Sequence, residues 1–395
     1  MRVLFINDVY TVGGATKSLK DLLSLLVKQG VDPIVCTSKR DGLNDYLDEK
    51  GILNIVDGHE GAMDVAPKKS LKRPFQYYKR KLRYRQARKK ALRRIEKTID
   101  LSTIDIIHTN SARNDIGCLI HEKYGTPHLV HIREFGQEDF SCWVYRNNYG
   151  KYISKQCDWI VAVSDAVKKS WIKKGIYSDK ISTLYNGVNF EGFQIKPTDS
   201  YSEEKMRIVF VGGLCETKGQ HIALEAVGML PECIRNNISL DFIGWSDPVY
   251  LAQLIEYAKK HNLDKRVRFL GSKEDVSTLL WKYDVGLMCS KSEGFGRVTV
   301  EYMYAGLGVI AADTGASPEL VKDGISGLIY SRDNASDLAD KIEKYYRDRK
   351  LLKDCGERAH IVSAQQFTIE RNVSELLQVY QKVILKNETA RNEKS

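Results

Sequence analysis

The sequence predicts an α/β chain of two Rossmann-like domains, each a doubly wound parallel sheet, facing a cleft between them. Three observations carry this. Apolar runs of four or five residues recur along the 395 residues, with longer amphipathic stretches between them. The runs are continuous rather than alternating, which suits parallel strands covered on both faces. The rhythm breaks once, near residues 191–206, where Gly192, Pro197, serines and charge collect without periodicity. A chain of this length divides naturally into two domains of under two hundred residues.

The first five runs fall at 3–6, 33–36, 104–108, 128–132 and 159–163. The second five fall at 208–211, 240–243, 267–270, 285–288 and 308–311. Helical patterns between them give the βαβ rhythm twice over. The domains are therefore expected at 1–190 and 207–365, joined by a linker at 191–206. A helical pattern at 366–386 and a polar tail at 387–395 complete the chain.

Hydrophobic residues make up 43% and charged residues 28%, as in ordinary globular proteins. No run approaches the about 18 apolar residues that a membrane span needs. The first apolar stretch is too short for a signal-peptide core and reads as a buried strand. Eight cysteines are scattered without a metal-ligand spacing, so reduced thiols in a cytoplasmic setting are expected, with no metal site.

The net charge of +10 is concentrated. Residues 68–94 hold fourteen Lys and Arg and no acid, so without them the chain would stand at −4. Phe75, Tyr77, Tyr78 and Tyr84 are interleaved with that charge. Three readings fit such a segment: an anionic membrane surface, nucleic acid, or a solvated helix.

The most informative segment runs from Lys291 to Met303. Glu293 stands in a strand-to-helix loop, Gly294 and Gly296 open the turn, and Glu301 lies about one turn into the next helix. A nucleotide sugar carries a diphosphate between two hydroxyl-rich rings. Unpaired N–H groups at a helix start suit the diphosphate, and glycines let the backbone come close. A carboxylate on either side can accept hydrogen bonds from a pair of hydroxyls. The order of the chemistry, sugar then diphosphate then ribose, matches the order Glu293, glycine turn, Glu301.

The spacing of Glu293 and Glu301 within SEGFGRVTVEYMYAG resembles retaining glycosyltransferase family 4, which has the GT-B fold. Further stretches resemble the family in order: Val12-Gly13-Gly14-Ala15, Trp159 to Ser164, Leu184-Tyr185-Asn186-Gly187, and Val211-Gly212-Gly213-Leu214 with Lys218-Gly219. The pattern at 366–386 is similar to the family's last helix, which crosses back to the first domain.

The resemblance implies that Glu293 contacts the donor sugar and acts in catalysis. Glu301 would hold the ribose, Lys218 the diphosphate, and the backbone of Phe295, Gly296 and Arg297 would cradle that diphosphate. Gly13, with Arg133 and Glu134, would meet phosphate or acceptor, and Gly14 would let the donor approach. His131 is the candidate general base, with Arg133 and Glu134 beside it at a strand end; His108 is a weaker candidate. The family usually places an arginine where this chain has Gly213, and Arg297 could replace its charge. No D-x-D motif occurs, so a metal-independent electrostatic clamp is the consistent chemistry.

The implied reaction moves a hexose-type sugar, most readily from a UDP-sugar, to a saccharide or lipid-linked saccharide with retained anomeric configuration. No cofactor beyond the donor is implied. Such a role favours an anionic membrane surface as the partner of the basic segment, through Lys79, Arg80, Lys81, Arg83, Arg85, Arg88, Lys89 and Lys90, and disfavours nucleic acid. The product would be a bacterial surface polysaccharide, made by a cytoplasmic enzyme at the inner face of the membrane. A nucleotide-sugar 2-epimerase of the same architecture and a basic nucleic-acid-binding module are the alternatives.

Overall fold

The computed structural model describes residues 1–8, 13–67, 73–136, 141–197, 201 and 204–392. Two compact units emerge: Met1–Gly187 together with Ile369–Ser395, and Val188–Thr368.

In the first unit the strands are β1 (Arg2–Asn7), β2 (Asp32–Thr37), β3 (Asn54–Val56), β4 (Met63–Val65), β5 (Ile106–Thr109), β6 (His128–Ile132), β7 (Cys142–Val144), β8 (Trp159–Ala162) and β9 (Ile181–Thr183). Seven of them form a sheet in the order β3-β2-β1-β5-β6-β8-β9. Every pairing in it is parallel. β4 and β7 pair antiparallel as a separate ribbon.

Alternation along β1 shows why its run is apolar throughout. Val3 and Phe5 meet Leu19, Leu22 and Leu26 of the helix Gly14–Lys28, with Leu376 and Tyr380 of the last helix, Ile369–Asn392. Leu4 and Ile6 point the other way, into Leu92 and Ile95 of the basic helix Arg73–Thr98 and into Ile116 and Ile120. Both faces are dry, so neither can carry polar residues.

The second unit contributes β10 (Met206–Val211), β11 (Ile238–Ile243), β12 (Val267–Phe269), β13 (Val285–Met288), β14 (Gly308–Ala312) and β15 (Leu328–Tyr330). Their order is β12-β11-β10-β13-β14-β15, and all are parallel.

The chain changes unit at Gly187–Val188, ahead of the segment 191–206. Val188 N donates to Phe367 O at 2.9 Å, and Lys196 N donates to Ala305 O at 2.9 Å. Lys196 is anchored further: its Nζ lies 2.9 Å from Asp284 Oδ1, with both side chains essentially inaccessible. Residues 198–200, 202 and 203 of that segment lie outside the described residues, as do Val12, Lys68, Lys69 and Lys72. The rest of the basic segment is one helix of 26 residues, Arg73–Thr98. Among the described residues no helix is long and apolar enough to cross a membrane.

Candidate functional site

Each sheet has one point where the strand order turns back on itself. In open α/β sheets, ligands bind beyond the carboxyl ends of the strands at such points. In the second unit the switch falls between β10 and β13; in the first it falls between β1 and β5.

Beyond β13 lies the glycine turn. Gly296 adopts φ +90°, a left-handed conformation that glycine takes without strain, and the helix Arg297–Tyr304 starts there. The loop before it is held by its neighbours. Ala316 N donates to Glu293 O at 3.0 Å. Thr314 Oγ1 donates to Lys291 O at 2.9 Å. A Cβ on Gly315 would stand 2.1 Å from Glu293 O, so this close crossing requires glycine. Glu293 is thus placed by its backbone, which leaves its carboxylate to face the neighbouring loop.

That carboxylate meets Lys218. Lys218 Nζ lies 3.0 Å from Glu293 Oε2, with side chains 37% and 19% exposed. The lysine does not open a helix. It ends a 3-10 turn, Glu216–Lys218, and Gly219 at φ +77° separates it from the helix Gln220–Met229. A Cβ on Gly219 would approach Cys289 O to 2.3 Å. Close packing of the two loops is what brings the cation to the acid.

Glu301 and Arg297 form an i,i+4 ion pair at 2.9 Å, each 8% exposed. The guanidinium thus faces Glu301 through Nε and is itself buried. Phe295 is buried. A Cβ on Gly213 would meet the Trp245 indole at 2.5 Å as that ring is placed. Trp245, half exposed, covers the place an arginine would leave from.

In the first unit Gly13 caps the helix Gly14–Lys28, and among the described residues a Cβ on it would meet nothing within 4 Å. Arg133 donates from Nε to Asn110 Oδ1 at 2.7 Å and from Nη1 to Asn186 Oδ1 at 2.8 Å. Its Nη2 faces His131 Nδ1 at 3.4 Å. A guanidinium only donates, so this contact leaves the ring proton of His131 on Nε2. Burial, then Arg133 and His108, hold the His131 pKa well below its ordinary value. His131 is thus an enclosed ring at the end of β6 whose Nδ1 faces Arg133. Glu134 Oε1 accepts from Ser111 Oγ at 2.8 Å. His108 is wholly buried, 2.5 Å from the Tyr380 hydroxyl, and serves packing.

A constellation without any sequence spacing stands at the first unit's switch point. His59 Nδ1 donates to Asp57 Oδ1 at 2.6 Å, while Nε2 faces Asp8 Oδ1 at 3.4 Å. Asn114 Nδ2 adds a bond to Asp8 at 3.1 Å. Burial alone would lower the His59 pKa, but hydrogen bonds to Asp57 and Asp8 and their charges raise it to about 10. Burial likewise opposes ionisation of Asp8, yet His59, Arg113 and Asn114 hold it below the usual carboxylate value. Asp8 and His59 line a cavity of ≈ 210 Å³ with Ser38, Glu60, Arg83 and Arg113.

This buried charge has a pH signature. A group whose folded pKa is raised stabilises the fold fully below its unfolded pKa, about 6.5 for histidine, and loses that contribution as pH rises toward the folded value. The stability lost in His59→Gln should therefore be largest near pH 6 and shrink toward pH 10. Urea unfolding of both proteins at several pH values measures this, and a constant difference would show that His59 is not charged.

Comparison with known proteins extends over both units. Residues 12–191 match the family model described as Glycosyltransferase Family 4, and residues 194–362 the one described as glycosyl transferases group 1. An uncharacterized glycosyltransferase of Methanocaldococcus jannaschii is 27% identical over 290 residues, covering 72% of this chain and 77% of that one. The N-acetyl-alpha-D-glucosaminyl L-malate synthase of Bacillus anthracis is 24% identical over 244 residues, covering 60% and 63%. Among solved structures, Anabaena HepE in complex with UDP superposes with a TM-score of 0.75 at 20% identity, over 97% of this chain and 100% of that chain. The lipopolysaccharide outer core galactosyltransferase WaaB gives 0.71 at 16% identity, with the same coverage of 97% and 100%.

Proposed function

The chain belongs to the family 4 glycosyltransferases of the GT-B fold, and from that premise we propose that it moves a hexose-type sugar from UDP to a saccharide or lipid-linked saccharide hydroxyl, with retention and without a metal. The observation that carries the donor site is the convergence of Lys218 and Glu293, 3.0 Å apart, from two different βα loops at the switch point of one sheet.

Between them the two groups match what a nucleotide sugar presents. Glu293 accepts from hydroxyls of the transferred hexose. Lys218 turns to the diphosphate, whose charge also faces the N–H groups at the start of the helix Arg297–Tyr304. Glu301, oriented by Arg297, takes the ribose hydroxyls. As the hexose leaves, negative charge grows on the diphosphate, and the lysine and helix start are already aimed there. Uracil is the proposed base because HepE, alike in fold, is known with UDP and UDP-glucose.

A charge-assisted hydrogen bond contributes roughly 1.5–3 kcal/mol. Lys218→Ala should therefore weaken UDP binding at least about tenfold, as read by calorimetry. Unchanged affinity would remove the lysine from the diphosphate. Transfer in the presence of EDTA tests metal independence, and proton NMR of the first product tests retention.

The acceptor's membrane setting is proposed from the helix Arg73–Thr98. Phe75, Tyr78 and Leu82 are 72%, 65% and 58% exposed, and their spacing puts them on one stripe. Lys79, Arg85, Lys89, Lys90 and Arg93 are exposed on the same helix. Arg80, Arg83 and Arg88 behave differently, ion-pairing with Asp64, Glu60 and Asp115. An exposed apolar stripe flanked by cations suits the headgroup region of an anionic leaflet. Each cation adds about 1 kcal/mol there, so replacing those five by alanine should lower co-flotation with phosphatidylglycerol vesicles more than about tenfold. Undiminished flotation would exclude this surface.

A further inference from the structure

A second cavity, of ≈ 430 Å³, lies between the helix Arg73–Thr98 and the segment around Tyr145–Tyr152. Five cations line it: Lys81, Arg85, Arg88, Lys89 and Arg146. Four of the five come from one helix at positions i, i+4, i+7 and i+8, the spacing of a single face.

Two of the guanidiniums are fixed in place. Arg146 Nε donates to Asp115 Oδ2 at 2.9 Å and to the Tyr84 hydroxyl at 3.0 Å, and its guanidinium lies 3.9 Å over the Tyr152 ring. Arg88 Nε lies 3.1 Å from Asp115 Oδ1, and its Nη2 donates to the Tyr152 hydroxyl at 2.7 Å. Asp115 is fully buried, so one carboxylate serves two guanidiniums. Lys81, Arg85 and Lys89 add three charges at the rim and, among the described residues, meet no acid.

Like charges gathered around one cavity repel, and an entering anion relieves that repulsion. Held guanidiniums suit planar, multi-point contact with phosphate oxygens, and flexible lysines at the rim add point charges. Within the cavity nucleic acid is poorly served, because the Tyr152 face is already covered by Arg146 and Tyr84 is buried, leaving little aromatic surface there for base stacking.

We propose that this cavity binds a phosphate or diphosphate group, separately from the donor site. The exposed stripe of Phe75, Tyr78 and Leu82 on the same helix favours a phosphate borne by a lipid. The proposal builds on the reading of this helix as lipid-facing, and is independent of which sugar is moved.

The test uses the full chain carrying Lys218→Ala, so that the donor site does not report. A rim variant (Lys81→Ala, Arg85→Ala, Lys89→Ala) is set against a variant of equal charge elsewhere on the helix (Lys79→Ala, Lys90→Ala, Arg93→Ala), with melting temperatures checking the fold. Two probes are used: inorganic pyrophosphate by calorimetry, and phosphatidylcholine vesicles with and without phosphatidic acid by sedimentation. The rim variant should lose at least about tenfold in affinity for one probe or both; the other variant should keep its pyrophosphate affinity and, toward phosphatidic acid, lose only its share of diffuse attraction, less than the rim variant loses. Loss toward phosphatidic acid alone identifies a lipid-borne phosphate; loss toward pyrophosphate alone identifies a soluble one. Equal losses in the two variants would reduce the effect to diffuse charge, and failure to bind either probe would likewise overturn the site. Equal losses in the two variants, with the unaltered chain still floating on phosphatidylglycerol, would overturn the pocket and leave the lipid-facing helix standing.

Discussion

Glu293→Gln should fold normally, bind UDP within a few-fold of the unaltered chain, and lose transfer by at least about a hundredfold, the scale on which aimed electrostatic groups act in catalysis. The side chain keeps its size and loses its charge. Nothing that shapes the loop depends on that charge: the bonds from Ala316 N to Glu293 O and from Thr314 Oγ1 to Lys291 O are made by backbone or by another side chain. The carboxylate's structural partner is Lys218, and both are partly exposed, so losing that pair costs little stability. UDP alone carries no hexose for Glu293 to hold. Its affinity should not fall, and it can rise slightly once the lysine has no acid to leave. Steady-state transfer assays beside UDP calorimetry separate the two effects. Full activity would take Glu293 out of the site, whereas a proportionate loss of UDP affinity would move its role from sugar to nucleotide.

The sequence makes the strands next to the site legible and the side-chain geometry much less so. β13 falls at 285–288 as expected, because four wholly buried apolar residues followed by a glycine turn leave few alternatives. β3, β4, β7, β9 and β15 go unannounced in the sequence; each has three residues, too few to show a period. Asp8, Asp57 and His59 come together from loops after β1 and β3, so no spacing could announce them. The absence of an arginine at Gly213 is visible in the chain, but the Trp245 ring that lies against it arrives from another loop. Arg297 looks in sequence like a cation at the mouth of the turn. Helical spacing instead sets it against Glu301, four residues on. Charge runs mislead in the same way: the basic segment reads as uniform, yet its helix divides it into residues tied to the body and residues facing outward.

The foot of β13 should matter to the site as much as its tip. Asp284, 1% exposed, precedes the strand whose far end delivers Glu293, and it neutralises two cations. Lys196 Nζ lies 2.9 Å away and Arg207 Nη2 3.1 Å, and Asp284 Oδ2 also accepts from the backbone N of Arg207 at 2.7 Å. Burial already pushes the Lys196 pKa below its ordinary value, with Asp284 only opposing that shift. Removing the carboxylate would leave an ammonium in a dry site without a counter-charge. Breaking a buried pair in this way costs about 3–5 kcal/mol, far more than the pair itself contributes. Asp284→Ala should therefore lower the unfolding free energy by that amount and weaken UDP binding through the unfolded fraction. Saturating UDP should restore part of the lost stability, since a ligand of the folded state shifts the balance toward it. Glu293→Gln should do the reverse, with stability kept and transfer lost. Denaturation curves with and without UDP distinguish the two, and an Asp284→Ala protein as stable as its parent would mean that Lys196 finds water or sheds its proton rather than depending on that carboxylate.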